Sequence, residues 1–329
     1  MGRDRNDSLD GVRALAAMSV LLFHARVPGF QNGGLGVQVF FALSGYLISS
    51  LIAREVTETG KIDIARFMLR RARRLVPALL IVVAFVFVLT PILFPIWKPL
   101  NAISAVLALT YSMNLGVSMG MPWTPLGHTW TLAIEMQFYL LWPAILGLFL
   151  NSKRPALLIS LAWIAVLAAR LALGSRLAVF DQTQLRCIEC LLLGSLVAFT
   201  PPGRPILAAV GGVALLLIMF TPGAIGEALL ALPLAAIASA MLVSGLRAPS
   251  ALASALSWRP LAYMGLISYG IYLWQSPVTR VFAPYGWRLD AALSVAVSTA
   301  LASLSYFTVE RWARIPFRFK PTVAVRVAP

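Results

Sequence analysis

A succession of long apolar runs constrains this chain more than any other feature. Segments 9–28, 34–53, 73–95, 128–150, 156–173, 182–199, 206–221, 228–246, 261–282 and 289–309 are each apolar over nearly their whole length, and about 20 such residues span the hydrocarbon core of a bilayer as an α-helix. In lipid every backbone polar group must be bonded internally, which leaves helices or closed barrels. Barrel strands alternate apolar and polar residues in short segments, and these runs do not. The expected fold is an all-α polytopic membrane protein with about ten transmembrane helices. Composition agrees: the chain is 60% hydrophobic and only 12% charged, where soluble domains carry about 25% charged residues, and the mean hydropathy is +0.84. The opening residues MGRDRNDSLD contain no apolar stretch with a small-residue cleavage site, so the first run reads as a retained helix and not a signal peptide. There is no internal repeat, and residues 1–329 read as a single transmembrane domain with no separate soluble domain.

Charge orients the chain. The formal net charge is +15, and cations concentrate on cytoplasmic loops. Starting from a cytoplasmic MGRDRND, the inner segments become REVTETGKIDIARFMLRRARR, NSKRP, PPGRP, RAPSALASALSWRP and the tail ERWARIPFRFKPTVAVRVAP. The outer loops PGFQNGG, TPGAIGE and APYGWRL are poor in cations. Both termini are therefore expected in the cytoplasm. Residues 101–118 are apolar, but a full crossing there would reverse every later loop. They are expected to form a re-entrant or half-crossing hairpin, within a proline-rich outer excursion (Pro91, Pro95, Pro99, Pro122, Pro125) that would act as a lid.

Ionisable residues at membrane depth are costly and are functional candidates by default. Arg13 and His24 are eleven apart in the first run, which puts them within about 20° of one helical face and about 16 Å apart along the axis. Arg13 alone also reads as a snorkelling anchor, and His24 alone as a histidine satisfied at a helix end. In GHTWTLAIEMQFYLLWP, His128 and Glu135 are seven apart, again about 20° from a common face and about 10 Å apart. A buried carboxylate needs a cationic or hydrogen-bonding partner, and His24, His128, Arg13 and Arg186 are the available suppliers.

The run RFMLRRARRLVP holds Arg66, Arg70, Arg71, Arg73 and Arg74. Its ordinary reading is a positive-inside anchor against anionic lipid; its sharper reading is a phosphate site, because guanidinium forks match phosphate oxygens. Nucleic acid is excluded as a partner, since the cations lie against the membrane with no aromatic-interleaved soluble domain to present bases. Cys187 and Cys190 lie one turn apart in an apolar run and read as small packing residues, and no metal site is expected.

Six segments, in order, resemble the membrane-bound acyltransferase-3 family: Arg13 and His24 in an R-x10-H pattern, GVQVFFALSGYLIS at 36–49, RRLVP at 73–77, HTWTLAIEMQFYLLWP at 128–143, LRCIECLLLGSLVA at 185–198 and ISYGIYLWQSPV at 267–278. The resemblance implies a bacterial cytoplasmic (inner) membrane O-acyltransferase that takes an acyl group, with acetyl expected, from cytoplasmic acyl-CoA to a hydroxyl of an outer glycan or other sugar-containing acceptor. Acyl-CoA would be a co-substrate, with no permanently bound cofactor. On that reading Arg70, Arg71, Arg73 and Arg74 receive the CoA phosphates and Arg13 guides the thioester arm, whose length is comparable to the Arg13–His24 separation. His24 is the general base for the sugar hydroxyl. Glu135 orients or polarises a histidine, while His128 stabilises an oxyanion or binds acceptor; an acyl-histidine intermediate is the alternative chemistry.

Two departures from the family pattern stand out. Gln275 occupies the position of a histidine in the family's YLWH, and Glu189, following Arg186, takes the place of an aspartate. Arg186, Tyr272 and Gln275 remain as acceptor or oxyanion contacts, and Tyr269 and Tyr272 read equally as interfacial anchors. Ser44 and Gly45 read as small residues for close helix packing, because no base neighbours Ser44 in sequence. The rival class is a transporter or flippase of an anionic or lipid-linked molecule, which would use the same polar face; the inverted repeats that favour transport are not found.

Overall fold

The computed structural model describes residues 6–311, except 153, 174–175 and 222–227, together with 325–326. The chain folds into helices in the order α1 (Asp7–His24), α2 (Gly36–Thr59), α3 (Ile64–Leu93), α4 (Asn101–Leu109), α5 (Met113–Ser118), α6 (Trp130–Asn151) and α7 (Pro155–Leu173), then α8 (Val179–Val197), α9 (Pro205–Phe220), α10 (Ala228–Gly245), α11 (Ala251–Leu256), α12 (Arg259–Leu266), α13 (Ser268–Phe282) and α14 (Trp287–Ser305). Each apolar run named above falls on one helix except 261–282, which is broken at Ile267 into α12 and α13. Among the described residues five stretches are long and apolar enough to cross a membrane by length and composition: Gly33–Thr59, Ile64–Leu93, Gly127–Asn151, Pro155–Leu173 and Trp287–Glu310. The protein is an all-α integral membrane protein. The other runs fall on helices that are shorter, such as the 16 residues of α9, or that carry several charges, such as α1 with Asp7, Asp10 and Arg13. Large apolar side chains point outward along the crossing helices, among them Val88, Ile92, Leu140 and Leu148, as a surface facing hydrocarbon requires.

Local chemistry sets the boundaries. Asn6 caps α1 by accepting from the Ser8 amide at 3.1 Å, and Asp63 caps α3 by accepting from the Arg66 amide at 2.9 Å. Between them α2 stops at Gly60, whose φ of +68° is the left-handed conformation glycine adopts without a Cβ penalty. Residues Lys61–Ile62 (β1) then pair antiparallel with Val325–Arg326 (β2), which brings the described C-terminal residues to the same end of the bundle as the arginine-rich start of α3. The rest of the basic tail, residues 312–324 and 327–329, and the outer-loop residues 222–227 lie outside the described residues.

The bundle is tightened where small residues let backbones meet. A side chain on Gly45 of α2 would strike the Leu191 carbonyl of α8, and one on Gly194 of α8 would strike the Ala42 carbonyl of α2. This reciprocal close approach locks α2 to α8, with Cys187 and Cys190 buried on the same helix. It also fixes which way Ser44, one residue before Gly45, faces.

Segment 101–118 is a helical hairpin, α4 and α5, and α4 with its 9 residues reaches only about 13 Å, short of a bilayer core. Its turn rests on α6: Gln137 donates to the Tyr111 carbonyl at 3.2 Å and to Asn114 Oδ1 at 3.0 Å, and Asn114 donates to Gln184 Oε1 of α8 at 2.9 Å. The proline-rich excursion is fastened to α13, where Arg280 donates to the Trp123 carbonyl at 2.9 Å and Ser276 to the Pro125 carbonyl at 3.2 Å.

Candidate active site

A narrow cleft of about 80 Å³ runs into the bundle from the arginine-rich end. It is lined by Arg13 of α1, Ser44 of α2, Arg71 and Arg74 of α3, Glu135 and Tyr139 of α6, and Tyr269 and Tyr272 of α13, with apolar Phe40, Phe41 and Leu132 between them. Three guanidiniums thus face one carboxylate. Arg71 and Arg74 are three apart on α3 and turn to the same side, and Arg71 is held between two rings, its guanidinium carbon 5.5 Å from the centre of Phe67 and 5.6 Å from that of Tyr139. Arg13 makes a loose pair with Asp10 at 3.8 Å.

The arginine run divides. Arg71 and Arg74 enter the cleft, but Arg70 is exposed and bonds Glu55 of α2 at 3.1 Å, and Arg66 is exposed. Arg73 is half-buried and does not line the cleft. Of the four arginines expected to receive phosphates, Arg70, Arg71, Arg73 and Arg74, the cleft takes Arg71 and Arg74.

Glu135 is bound by hydroxyls and not by a histidine. Ser44 and Tyr139 both donate to its Oε1 in short hydrogen bonds, and among the described residues no hydrogen bond or ion pair engages Oε2. Two expectations are corrected here. His128 does not share a helical face with Glu135, because it belongs to a short 3₁₀ turn, Gly127–Thr129, that precedes α6. Ser44 is a partner of the carboxylate and not merely a small packing residue; that description suits Gly45 alone. Tyr139, one turn from Glu135 on α6, was legible from its i, i+4 spacing. The Ser44 contact joins residues 91 apart, and no local signal announces it.

The histidines lie outside the cleft, at the opposite end of α1. His24 is the last residue of that helix, and its Nδ1 lies 2.9 Å from the Val20 carbonyl. A carbonyl partner makes Nδ1 the protonated nitrogen and leaves Nε2 with its lone pair. His128 is buried; its ring nitrogens make no close, well-aligned hydrogen bond among the described residues and interact only with the backbone carbonyls of Pro125 and Leu273, whereas both amide atoms of the fully buried Gln275 have no partner among the described residues. Arg280 and the two histidines interact electrostatically.

Tyr272 joins the two ends. It lines the cleft, its ring lies 5.6 Å from that of His128, and its hydroxyl meets Thr131 Oγ1 at 2.6 Å and donates to the His128 carbonyl at 3.0 Å. Tyr272 is buried, and Tyr269 donates to the Leu75 carbonyl at 2.9 Å, so neither tyrosine is an interfacial anchor. Arg186 belongs to neither end. It is buried on α8 beside the pair made by Arg170 and Glu189 at 2.5 Å, whose side chains are 2% and 1% exposed. Glu189 is therefore the counter-ion of Arg170 on α7, which makes it a structural group between two helices.

Comparison with known proteins gives this geometry a family. The family described as acyltransferase domain matches residues 6–309. The chain belongs to the acyltransferase-3 family. It is 32% identical to the peptidoglycan O-acetyltransferase OatA of Listeria monocytogenes over 92% of this chain and 55% of that protein. It is also 32% identical to the O-acetyltransferase OatA of Staphylococcus aureus over 82% of this chain and 50% of that protein. The putative peptidoglycan O-acetyltransferase YrhL of Bacillus subtilis is 31% identical over 92% of this chain and 54% of its own length. The acyltransferase-3 chain described here thus spans about half the length of these relatives. No solved structure matches it.

Proposed function

We propose that this acyltransferase-3 protein is a transmembrane O-acetyltransferase that carries an acetyl group from cytoplasmic acetyl-CoA to a sugar hydroxyl of peptidoglycan. In this reading the chain is one transmembrane domain that crosses the bacterial cytoplasmic membrane ten times. The arginine end and both termini face the cytoplasm, and His24 lies toward the outer side. The observation that carries the reading is the cleft, in which three guanidiniums meet a single carboxylate at the basic end of the bundle. Such a wall attracts a polyphosphate, and the names of the relatives supply the acetyl group and the glycan.

Each residue then has a task. Arg71 and Arg74 take the CoA phosphates at the mouth, with Arg70 and Arg73 adding attraction outside it, and Arg13 guides the arm inward. The thioester reaches past Tyr272 to His24, whose Nε2 accepts the proton of the sugar hydroxyl. The sugar oxygen bonds the acetyl carbon, the carbon–sulfur bond breaks, and CoA leaves as the thiolate. The unpaired amide of Gln275 and the ring of His128 stand ready for the carbonyl oxygen as it gains charge. No metal and no further cofactor enters this scheme.

The test is a vesicle reconstitution with labelled acetyl-CoA on the arginine side and a muropeptide acceptor on the other. Acetyl ester on the acceptor, abolished by His24→Ala in correctly inserted protein, is the expected result. Passage of acceptor across the vesicle without ester formation would instead identify a transporter.

A further inference from the structure

We infer that Ser44 and Tyr139 form a clamp that presents the free oxygen of Glu135 to an amide N–H of the donor's pantetheine arm. The inference rests on the reading of acyl-CoA as the molecule in the cleft and adds two positioning residues and a contact to it. Both hydroxyls donate to the same oxygen, Oε1. Tyr139 rises from the same helix as Glu135, and Ser44 comes from α2, where the close approach of Gly45 and Gly194 to the facing backbones holds it in place. With one oxygen committed to two donors from two helices, the carboxylate plane is set, and Oε2 is left without a partner from the described residues.

The chemistry of the cleft says what Oε2 can receive. A carboxylate accepts hydrogen bonds and repels anions, so it meets neither a phosphate nor a departing thiolate nor an oxyanion. Arg13 and Arg71 interact with Glu135 electrostatically, but among the described residues no guanidinium hydrogen-bonds it, and Arg71 is held by the Phe67 and Tyr139 rings. What remains is a neutral donor entering with the ligand. The pantetheine arm of CoA carries two secondary amides, and each brings one N–H and no charge. Among the described residues Glu135 is also the sole carboxylate lining the cleft. A bond to an ionised acceptor is stronger than a neutral one, so a carboxylate held in one plane selects an amide-bearing arm in a passage otherwise lined by cations and rings.

The experiment measures binding in nanodiscs with two probes: acetyl-CoA, and the phosphorylated ADP half of CoA without its pantetheine arm. Ser44→Ala and Tyr139→Phe are each expected to weaken acetyl-CoA binding by about five- to tenfold and to leave the nucleotide probe unchanged, while Ser44→Thr, which keeps the hydroxyl, restores acetyl-CoA affinity. Unchanged acetyl-CoA affinity in both variants overturns the clamp. So does equal weakening of both probes, or a threonine variant as weak as the alanine one. If the wild type shows the expected pattern yet forms no ester, the acetyltransferase reading falls and the clamp stands; if it binds neither probe, both fall.

Discussion

The two ends of the polar path are built in opposite ways. At the arginine end several polar groups are preset by partners: Glu135 Oε1 holds two hydroxyls, and Arg71 lies between two rings, while Glu135 Oε2 is left for what enters the cleft. At the histidine end buried groups stand open: among the described residues both amide atoms of Gln275 have no partner, and the His128 ring makes no close hydrogen bond. Buried polar atoms without partners are costly, so proteins keep them where a ligand or water supplies the bond. A site that grips a large, multiply charged donor is well served by preset partners, because binding draws on fixed charge. A site where a small acceptor reacts needs groups free to bond the changing atoms. On the proposed function, the first is a binding cleft and the second a reaction chamber.

The largest test of that contrast is at the histidine end. Replacing His24 by Ala should lower acetylation by roughly 10²- to 10⁴-fold, the span of general-base catalysis, with acetyl-CoA affinity little changed, as read by ester formation alongside binding. A loss of donor binding instead would make His24 part of the cleft. Next in size is a control outside both regions. Arg170→Ala strands Glu189 in the interior and should cost about 3–5 kcal/mol of stability, visible as a large fall in the thermal midpoint in detergent. Replacing Arg170 and Glu189 together by apolar residues should recover most of it.

At the arginine end, Arg71→Ala with Arg74→Ala should weaken acetyl-CoA binding by about tenfold or more, because charge-assisted phosphate contacts are strong. The pair Arg70→Ala with Arg73→Ala should weaken it far less, since neither lines the cleft. Equal effects would return the whole run to a general surface attraction. The smallest effect concerns Gln275. Changing it to Leu removes two unpaired buried atoms and should leave the fold as stable or more stable by about 1 kcal/mol, while acetylation falls; unchanged acetylation would make that amide a bystander.

How much of this was legible in the chain depends on the range of the interaction. The helices, the hairpin at 101–118 and the placing of Arg13 and His24 toward opposite ends of one helix follow from periodicity and charge, which are properties of neighbouring residues. The pairing of His128 with Glu135 failed because helical geometry was extended two residues too far: the helix starts at Trp130, after a 3₁₀ turn. Which arginines of the run line the cleft was not legible, because the spacing within α3 fixes which arginines travel together, but the neighbours of α3 decide which pair looks inward.

What the sequence determined by itself is the solvent and the skeleton: an all-helical membrane protein, its basic end, and a short roll of buried polar residues, since hydrocarbon tolerates only bonded backbone and rare charge. What only the tertiary structure decided is who holds whom. Glu135 is paired with Ser44 across 91 residues, Glu189 with Arg170 across 19, and the SG of FFALSGYLI divides into a hydroxyl for the site and a glycine for the helix contact. Those choices are made by packing, because a side chain's partner is set by which helices pass within a few ångströms, a distance written nowhere along the chain.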